Sequence, residues 1–190
     1  MLRVKEIKQI LKKELKPDRY THTLGVMKTA QKLAKRYGCD EKKAQYAGLL
    51  HDCAKYLSDK EKRKLCKKHH ITITQAEDKN PSLLHAKCGA ILAQELYGVS
   101  DAEILHAIEV HTTGCPNMSL LDKIIYIADY IEPNRKQAPH LKDLRTMSKI
   151  DLDQTVFQIA KDTISYLKKT QNTIDETTMD VYNFYSFCKK

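Results

Sequence analysis

Six ionisable side chains of the sequence fall where helical periodicity places the protein interior: His22, His51, Asp52, His85, His111 and Asp129. His51 and Asp52 are adjacent in the segment GLLHDCAK, among leucine, glycine and alanine. Burying an imidazole and a carboxylate without partners would cost several kcal/mol. Neighbours in a helix point about 100° apart, so the two side chains cannot simply pair with each other. A common partner between them would compensate for their burial.

The apolar stripe of each predicted helix shows why these side chains should face inward. His22 precedes Val26 and Leu33 at helical spacing, and Asp129 follows Ile125 in the same way. A single inward histidine is usually a hydrogen-bonded core residue. Five helices that each send His or Asp inward are better explained by a divalent metal ion, because neutral imidazoles and carboxylates are its ligands and its charge neutralises the carboxylates.

Helix signals dominate the elements that must position these residues. We expect helices at about 3–15, 19–37, 40–55, 80–98, 151–169 and 177–190, one opened by a capping box at 58–61, one from a capping box at 100–103 to Gly114, and one at 120–131 capped by Ser119. Residues 71–74 alternate as a strand would, but they are too few to anchor a sheet. The sequence predicts an all-α bundle forming a single domain over 1–190, with a metal-site core at about 19–135 and C-terminal helices at about 150–190.

Composition limits the cellular location and the kinds of partner that the sequence predicts. The chain has no apolar run near the roughly 18 residues that a membrane span needs, and its N-terminus lacks the apolar region of a secretory signal. Six scattered cysteines without a C-x-x-C pair favour a cytoplasmic protein without disulfides. The net charge of +9 attracts polyanions, but it does not separate nucleic acids from nucleotides.

The order His22, then His51-Asp52, then Asp129 is similar to that of the HD-domain metal-dependent phosphohydrolases. A wider set of segments resembles the YqeK family, the symmetrical bis(5′-nucleosyl)-tetraphosphatases: RYTHTLGV, GLLHDCAK, LLHAKCGA, AIEVHTTG and YIADYIEPNR. The resemblance covers roughly residues 15–185.

This resemblance implies an HD-domain helical bundle that holds iron, with manganese as the alternative, and hydrolyses diadenosine tetraphosphate symmetrically into two ADP. The nucleotide product would be ADP or GDP according to the base, and a homodimer is an option. The positions that match the family's metal ligands are His22, His51, Asp52 and Asp129. The positions that either hold a second metal or contact the phosphate are His85 and His111. The positions placed to bind substrate phosphates are Arg19, Lys55, Thr112 and Arg135.

The residue types themselves suit phosphoanhydride hydrolysis. A metal held by two histidines and two aspartates keeps open positions and lowers the pKa of a bound water. Asp52 or Asp129 could orient that water or take its proton. Lys55 lies one helical turn past His51, and Arg135 offers a fork suited to phosphate, so both could stabilise the growing charge on the phosphoryl oxygens.

Two other functions compete with this hypothesis. The same site could act on nucleoside mono- or triphosphates. Alternatively, the chain could be a basic RNA- or ribosome-binding protein with a structural metal, although Lys55 and Arg135 flank the inferred cage while the basic run at 60–70 lies elsewhere. Binding of one or two ions, the choice between iron and manganese, and the base preference are left open by the sequence.

Overall fold

The computed structural model describes residues 1–187, and this part of the chain consists of helices joined by loops, with no strand. A short 3₁₀ helix at Pro81–Leu84 accompanies eleven α-helices. The α-helices are α1 (Val4–Glu14), α2 (Pro17–Tyr37), α3 (Glu41–Leu50), α4 (Asp59–Lys68), α5 (Gln75–Lys79), α6 (His85–Glu95), α7 (Ala102–Val110), α8 (Leu120–Ile131), α9 (Leu141–Met147), α10 (Leu152–Lys169) and α11 (Glu176–Ser186). The predicted all-α class is confirmed.

Five helices, α2, α3, α6, α7 and α8, surround the predicted site. Helix α2 packs against α3 and α8, and α7 packs against α3, α6 and α8. Helix α10 covers the other side of α8 and contacts α9 and α11. The buried apolar side chains of these helices form one continuous core. The predicted inward-facing residues therefore lie on, or at the ends of, helices that pack directly against one another.

The close approach of α2 and α3 depends on a small residue. A Cβ atom added to Gly48 would lie 3.0 Å from the Cα of Met27, so no larger side chain fits at this crossing. Ala44 and Ala47, on the same helix, are fully buried. Small residues on α3 therefore let α2 approach closely beside the site.

Helix caps agree with the sequence at most positions. The side chain of Ser58 accepts from the backbone of Glu61 at the start of α4, and Ser119 caps α8 as predicted. At α7 the capping residue is Asp101 rather than Ser100, because the Asp101 carboxylate accepts from two backbone N–H groups of the first turn.

Several predicted element bounds are wrong. Helix α3 ends at Leu50 instead of continuing to residue 55, because tighter bonds follow it: the amide of Cys53 donates to Leu50 and that of Lys55 donates to Asp52. The predicted helix at 80–98 is a 3₁₀ turn followed by α6, which ends at Glu95. Helix α9 was not predicted.

The last predicted helix corresponds to α11, whose final predicted residues, 188–190, lie outside the described part. The five cysteines within residues 1–187 are free thiols, and Cys188 is one of the residues outside. Over residues 1–187, every helix is too short or too polar to traverse a bilayer.

Candidate metal centre

The six inward-facing residues meet in one cluster at the middle of the bundle. His51, Asp52, His85 and His111 are each at most 3% exposed. The side chains of His22 and Asp129 are 12% and 24% exposed and form the edge of the cluster that faces solvent. The structure thus brings together residues that are more than one hundred positions apart in sequence.

Three of the histidines are oriented by the main chain. His51 and His111 directly follow α3 and α7, and His85 begins α6 after the 3₁₀ turn. Each ring donates its Nδ1–H to the carbonyl oxygen three residues earlier, at 2.8, 2.7 and 2.6 Å for Gly48, Ile108 and Ser82 respectively. Because a carbonyl oxygen only accepts, the Nε2 atoms carry the lone pairs and point into the cluster.

Asp52 stands at the centre, and its two oxygens face different partners. Its Oδ2 atom lies 3.4 Å from Nε2 of His51 and 3.9 Å from Nε2 of His22. Its Oδ1 atom lies 3.2 Å from Nε2 of His85 and 3.8 Å from Nε2 of His111. We call the first set, with Asp129, the Oδ2 side, and the second set, with Lys55 and Thr112, the Oδ1 side.

The Oδ2 side has the donor set of a divalent metal site. Nε2 of His22 lies 3.3 Å from Nε2 of His51 and 2.9 Å from Oδ1 of Asp129. Ligands about 2.0–2.2 Å from one ion lie roughly 3–3.5 Å apart, which these spacings approach. Two imidazoles and two carboxylates also fit a divalent transition metal chemically. These four residues could hold one ion.

The Oδ1 side is built differently. Nζ of Lys55 lies 3.1 Å from both ring nitrogens of His85 and 3.9 Å from Oδ1 of Asp52. The hydroxyl of Thr112 lies 3.3 Å from Nε2 of His85 and 3.1 Å from Nε2 of His111. This side therefore offers one cation, one hydroxyl and two imidazoles around a single carboxylate oxygen, which suits an anionic oxygen.

Two arginines close the cluster at its exposed edge. Arg19 donates to Oδ2 of Asp52 at 2.8 Å, and Arg135 donates to Oδ1 of Asp129 at 3.1 Å. Both border a cleft of about 480 Å³ that is also lined by Lys16, Asp18, Thr21, His22, Glu132 and Asn134. The cleft gives the centre access to solvent through a rim that carries three cationic side chains.

Burial and the neighbouring charges set the protonation of the cluster. Burial alone would raise the pKa of Asp52, but the adjacent His51 and His85 outweigh it and hold that pKa well below its usual range. The pKa of Asp129 is lowered in the same way, because His22, His51 and Arg135 outweigh the opposing effect of its burial. Both carboxylates are therefore ionised at neutral pH, as metal ligands must be.

The histidines of the Oδ1 side stay neutral. Burial is the main cause that lowers the pKa of His111 to about 3, and the neighbouring rings of His51 and His85 further disfavour its protonation. Burial is also the main cause that lowers the pKa of His85 and that of Lys55. The Oδ1 side is therefore a low-dielectric environment with neutral imidazoles and an amine that ionises less readily than in water. Charge on a group bound there is poorly screened.

Sequence reasoning missed two residues at this site. Glu132 is 1% exposed and its Oε1 atom lies 3.2 Å from Nδ1 of His22. Lys16, at the N-cap of α2, lines the cleft. A signal for Glu132 was present, because it follows Asp129 by three residues, which directs both carboxylates to the same side at the end of α8. No comparable pattern distinguished Lys16 from other surface lysines.

Comparison with known proteins agrees with this geometry. The HD domain model matches residues 19–134, which contain the whole cluster. The chain belongs to the HD-domain family.

Within that family, the chain is similar to proteins of one particular name. It is 44% identical to a protein of Halalkalibacterium halodurans and 42% identical to one of Bacillus subtilis, each match covering 92% of both chains. Both relatives are named symmetrical bis(5′-nucleosyl)-tetraphosphatase. The predicted resemblance to the YqeK family is confirmed.

A solved structure has the same fold. It comes from Clostridium acetobutylicum and is described as a predicted HD superfamily hydrolase involved in NAD metabolism. It superposes with a TM-score of 0.95 over the full length of both chains at 39% identity. The helical bundle around the cluster is therefore shared along the whole chain.

Proposed function

We propose that this protein is a metal-dependent hydrolase that cleaves diadenosine tetraphosphate symmetrically into two ADP. The observation that carries the proposal is the division of one buried cluster at Asp52 into a metal donor set and a cationic, hydroxyl-bearing set. The names of the two bacterial relatives, which align over 92% of the chain, support the same reaction and substrate.

We propose His22, His51, Asp52 and Asp129 as the metal ligands. Donor atoms of His22, His51 and Asp129 lie close enough together to hold one ion. Asp52 adds its Oδ2 atom, 3.4 Å from Nε2 of His51. A bound ion supplies Lewis acidity, which lowers the pKa of a water molecule and offsets charge on the phosphate. Iron is proposed from the family resemblance, and manganese accepts the same nitrogen and oxygen donors. We propose one ion for each chain, because Lys55 lies near the remaining oxygen of Asp52 and Thr112 contacts both histidines beside it.

Asp52 and Asp129 have different roles in this proposal. Asp52 is 2% exposed, and both of its oxygens face other side chains of the cluster. The side chain of Asp129 is 24% exposed, and its two partners His22 and Arg135 line the cleft. We therefore assign the orientation of the attacking water, and acceptance of its proton, to the Asp129 carboxylate.

Phosphate binding is divided between the two sides of Asp52. Symmetric cleavage places two phosphates on each side of the bond that breaks, so both halves of the chain of phosphates need cationic or hydrogen-bonding partners. On the Oδ1 side we propose Lys55, His85, His111 and Thr112 as these partners. On the cleft side we propose Arg19 and Arg135, with Lys16 further from the reacting bond.

Product analysis tests this function. Protein purified without oxygen and loaded with iron is incubated with diadenosine tetraphosphate in water enriched in ¹⁸O. The expected product is ADP alone, with half of the molecules labelled on a phosphate oxygen. AMP together with ATP would exclude symmetric cleavage. An Asp52→Ala sample purified in parallel controls for contaminating hydrolases.

A substrate panel tests the competing functions in the same assay. Faster turnover of a nucleoside mono- or triphosphate would reassign the substrate. NAD belongs in the panel because the Clostridium acetobutylicum protein is described as involved in NAD metabolism. RNA binding with no turnover of any nucleotide would replace the enzyme hypothesis by that of a binding protein.

The extent and assembly of the protein stay predictions. A single domain over 1–190, a cytoplasmic location and a homodimer are each compatible with the bundle. Light scattering on the eluting protein distinguishes a mass of 21.9 kDa from twice that value.

A further inference from the structure

We infer that Glu132 is a positioning residue that fixes the tautomer and orientation of His22 for metal binding. The inference rests on the metal site proposed above, and it assigns a role to a carboxylate that binds neither metal nor substrate directly. The observation behind it is a fully buried glutamate whose two oxygens both face hydrogen-bond donors.

The two oxygens of the Glu132 carboxylate face different partners. Its Oε1 atom lies 3.2 Å from Nδ1 of His22. Its Oε2 atom accepts from the backbone N–H of Asn134 at 2.8 Å and from the side-chain amide of the same residue at 3.0 Å. Nδ1 of His22 is therefore the donor, and the lone pair of Nε2 is directed toward the Oδ2 side.

His22 needs a side-chain acceptor because of its position in α2. The other three histidines of the cluster follow or begin helices, where they reach a main-chain carbonyl three residues back. His22 lies inside α2, where the carbonyls of the preceding turn serve the helix itself. Glu132 supplies the acceptor that the main chain does not. A carboxylate behind a metal-binding imidazole also makes the ligand more basic.

The rest of the fold is shaped to admit this carboxylate. A Cβ atom added to Gly25, on the same face of α2 as His22, would lie 2.2 Å from Oε2 of Glu132. Arg145, from α9, donates to the carbonyl oxygens of Ile131 and Glu132 at 2.9 and 2.8 Å. Gly25 thus leaves room for the Glu132 carboxylate, and Arg145 holds the backbone of the same residue.

The test is the metal affinity of Glu132→Gln, measured in competition with a chelator and without substrate. Glutamine has the same size, but its NH₂ group must face either His22 Nδ1–H or the two donors of Asn134, so at least one hydrogen bond is lost. We expect the metal dissociation constant to rise about 10- to 100-fold. We also expect the visible absorption of the Co²⁺-loaded protein to shift, because the His22 ligand changes orientation.

The chain contains a matched control for this variant. His140 and Asp162 form another histidine–carboxylate pair, with Nδ1 of His140 2.9 Å from Oδ2 of Asp162, away from the centre. Asp162→Asn removes the negative charge of a buried acceptor in the same way, and it should leave metal affinity and the Co²⁺ spectrum unchanged. A similar loss of affinity in both variants would mean that general destabilisation explains the result, and it would overturn the inference.

A second variant covers the case in which Glu132→Gln does not fold. Gly25→Ala keeps the carboxylate but displaces it, so the metal dissociation constant should again rise. Wild-type affinity in either folded variant overturns the role of Glu132 and leaves the hydrolase proposal intact. Products other than ADP would overturn the hydrolase proposal while this affinity result stands.

Discussion

The two sides of Asp52 each contain a pair of histidines, but they differ in the charged residues around that pair. The Oδ2 side adds Asp129 to the shared carboxylate, and its cations stand at the solvent edge. The Oδ1 side adds no further carboxylate, and Lys55 contacts its histidine directly. Histidine alone therefore does not define a metal site. The balance of charge around each pair of imidazoles makes one side suited to a cation and the other to an anion.

Removing the shared residue should abolish both sides at once, which is the largest expected effect. In Asp52→Ala, the metal loses a carboxylate ligand and the water loses its environment, so metal content and turnover should both fall to background. Metal content is measured by elemental analysis and turnover by ADP release. Asp143→Ala, at an exposed aspartate, is the control. Turnover retained at wild-type level would refute the assignment.

Changing Lys55 should separate the two sides. Lys55→Ala removes a cation from the Oδ1 side alone, so kcat/KM should fall about 10²- to 10³-fold while metal content stays at one ion for each chain. Lys64→Ala, in the exposed basic run, should leave both values unchanged. Loss of metal from Lys55→Ala, or two ions in the wild type, would break the proposed division between the sides.

Lowering the pH should reduce the free energy of unfolding, because His111 on the Oδ1 side is buried and neutral. The pKa of His111 is lowered to about 3 in the fold, whereas the unfolded chain takes up this proton near pH 6.5. Between these values the unfolded state binds more protons, so the free energy of unfolding of the metal-free protein falls as the pH falls. His111→Gln should make that slope shallower by up to about 1.4 kcal/mol per pH unit.

Urea unfolding at several pH values between 4 and 7 measures the two slopes. His70→Gln, at an exposed histidine, provides the matched comparison. Equal slopes for the wild type and His111→Gln would show that His111 does not remain neutral in the fold.

Substitution of Lys16 should have the smallest effect on the kinetics, because its side chain is exposed in the cleft. Lys16→Gln should raise KM for diadenosine tetraphosphate about two- to fivefold with kcat unchanged, as expected for one solvent-exposed charge pair. The difference should shrink as salt is added, since exposed charges are screened. Steady-state kinetics at two ionic strengths measure this, with Lys13→Gln on α1 as the control. An unchanged KM would remove Lys16 from the substrate path.

Helical periodicity was enough to predict that the six ionisable residues face one interior. It was not enough to place the end of α3, because the apolar pattern continues through Cys53 and Ala54 with no glycine or proline at Leu50. The orientation of His51 by a carbonyl depends on that helix end, so it could not be foreseen either.

Helix α9 escaped prediction for a related reason. It is seven residues long, only Leu141 and Leu144 are buried, and His140 at its N-cap has a left-handed backbone and makes no side-chain cap. Neither periodicity nor capping chemistry marks such a helix. Its Arg145 nevertheless holds the segment after α8, so a helix without sequence signals supports the residue behind His22.

The main-chain anchors of three histidines affect how this centre can change during evolution. Gly48, Ser82 and Ile108 contribute only carbonyl oxygens to those anchors. A change of side chain at Ser82 or Ile108 therefore keeps the acceptor atom, and Gly48 is already fixed by the close approach of α2. The anchor of His22 is encoded by a side chain, and one nucleotide change can remove it. Natural variation that tunes the affinity for the ion should therefore concentrate on the contacts around the fourth histidine, while the other three orientations are inherited with the backbone.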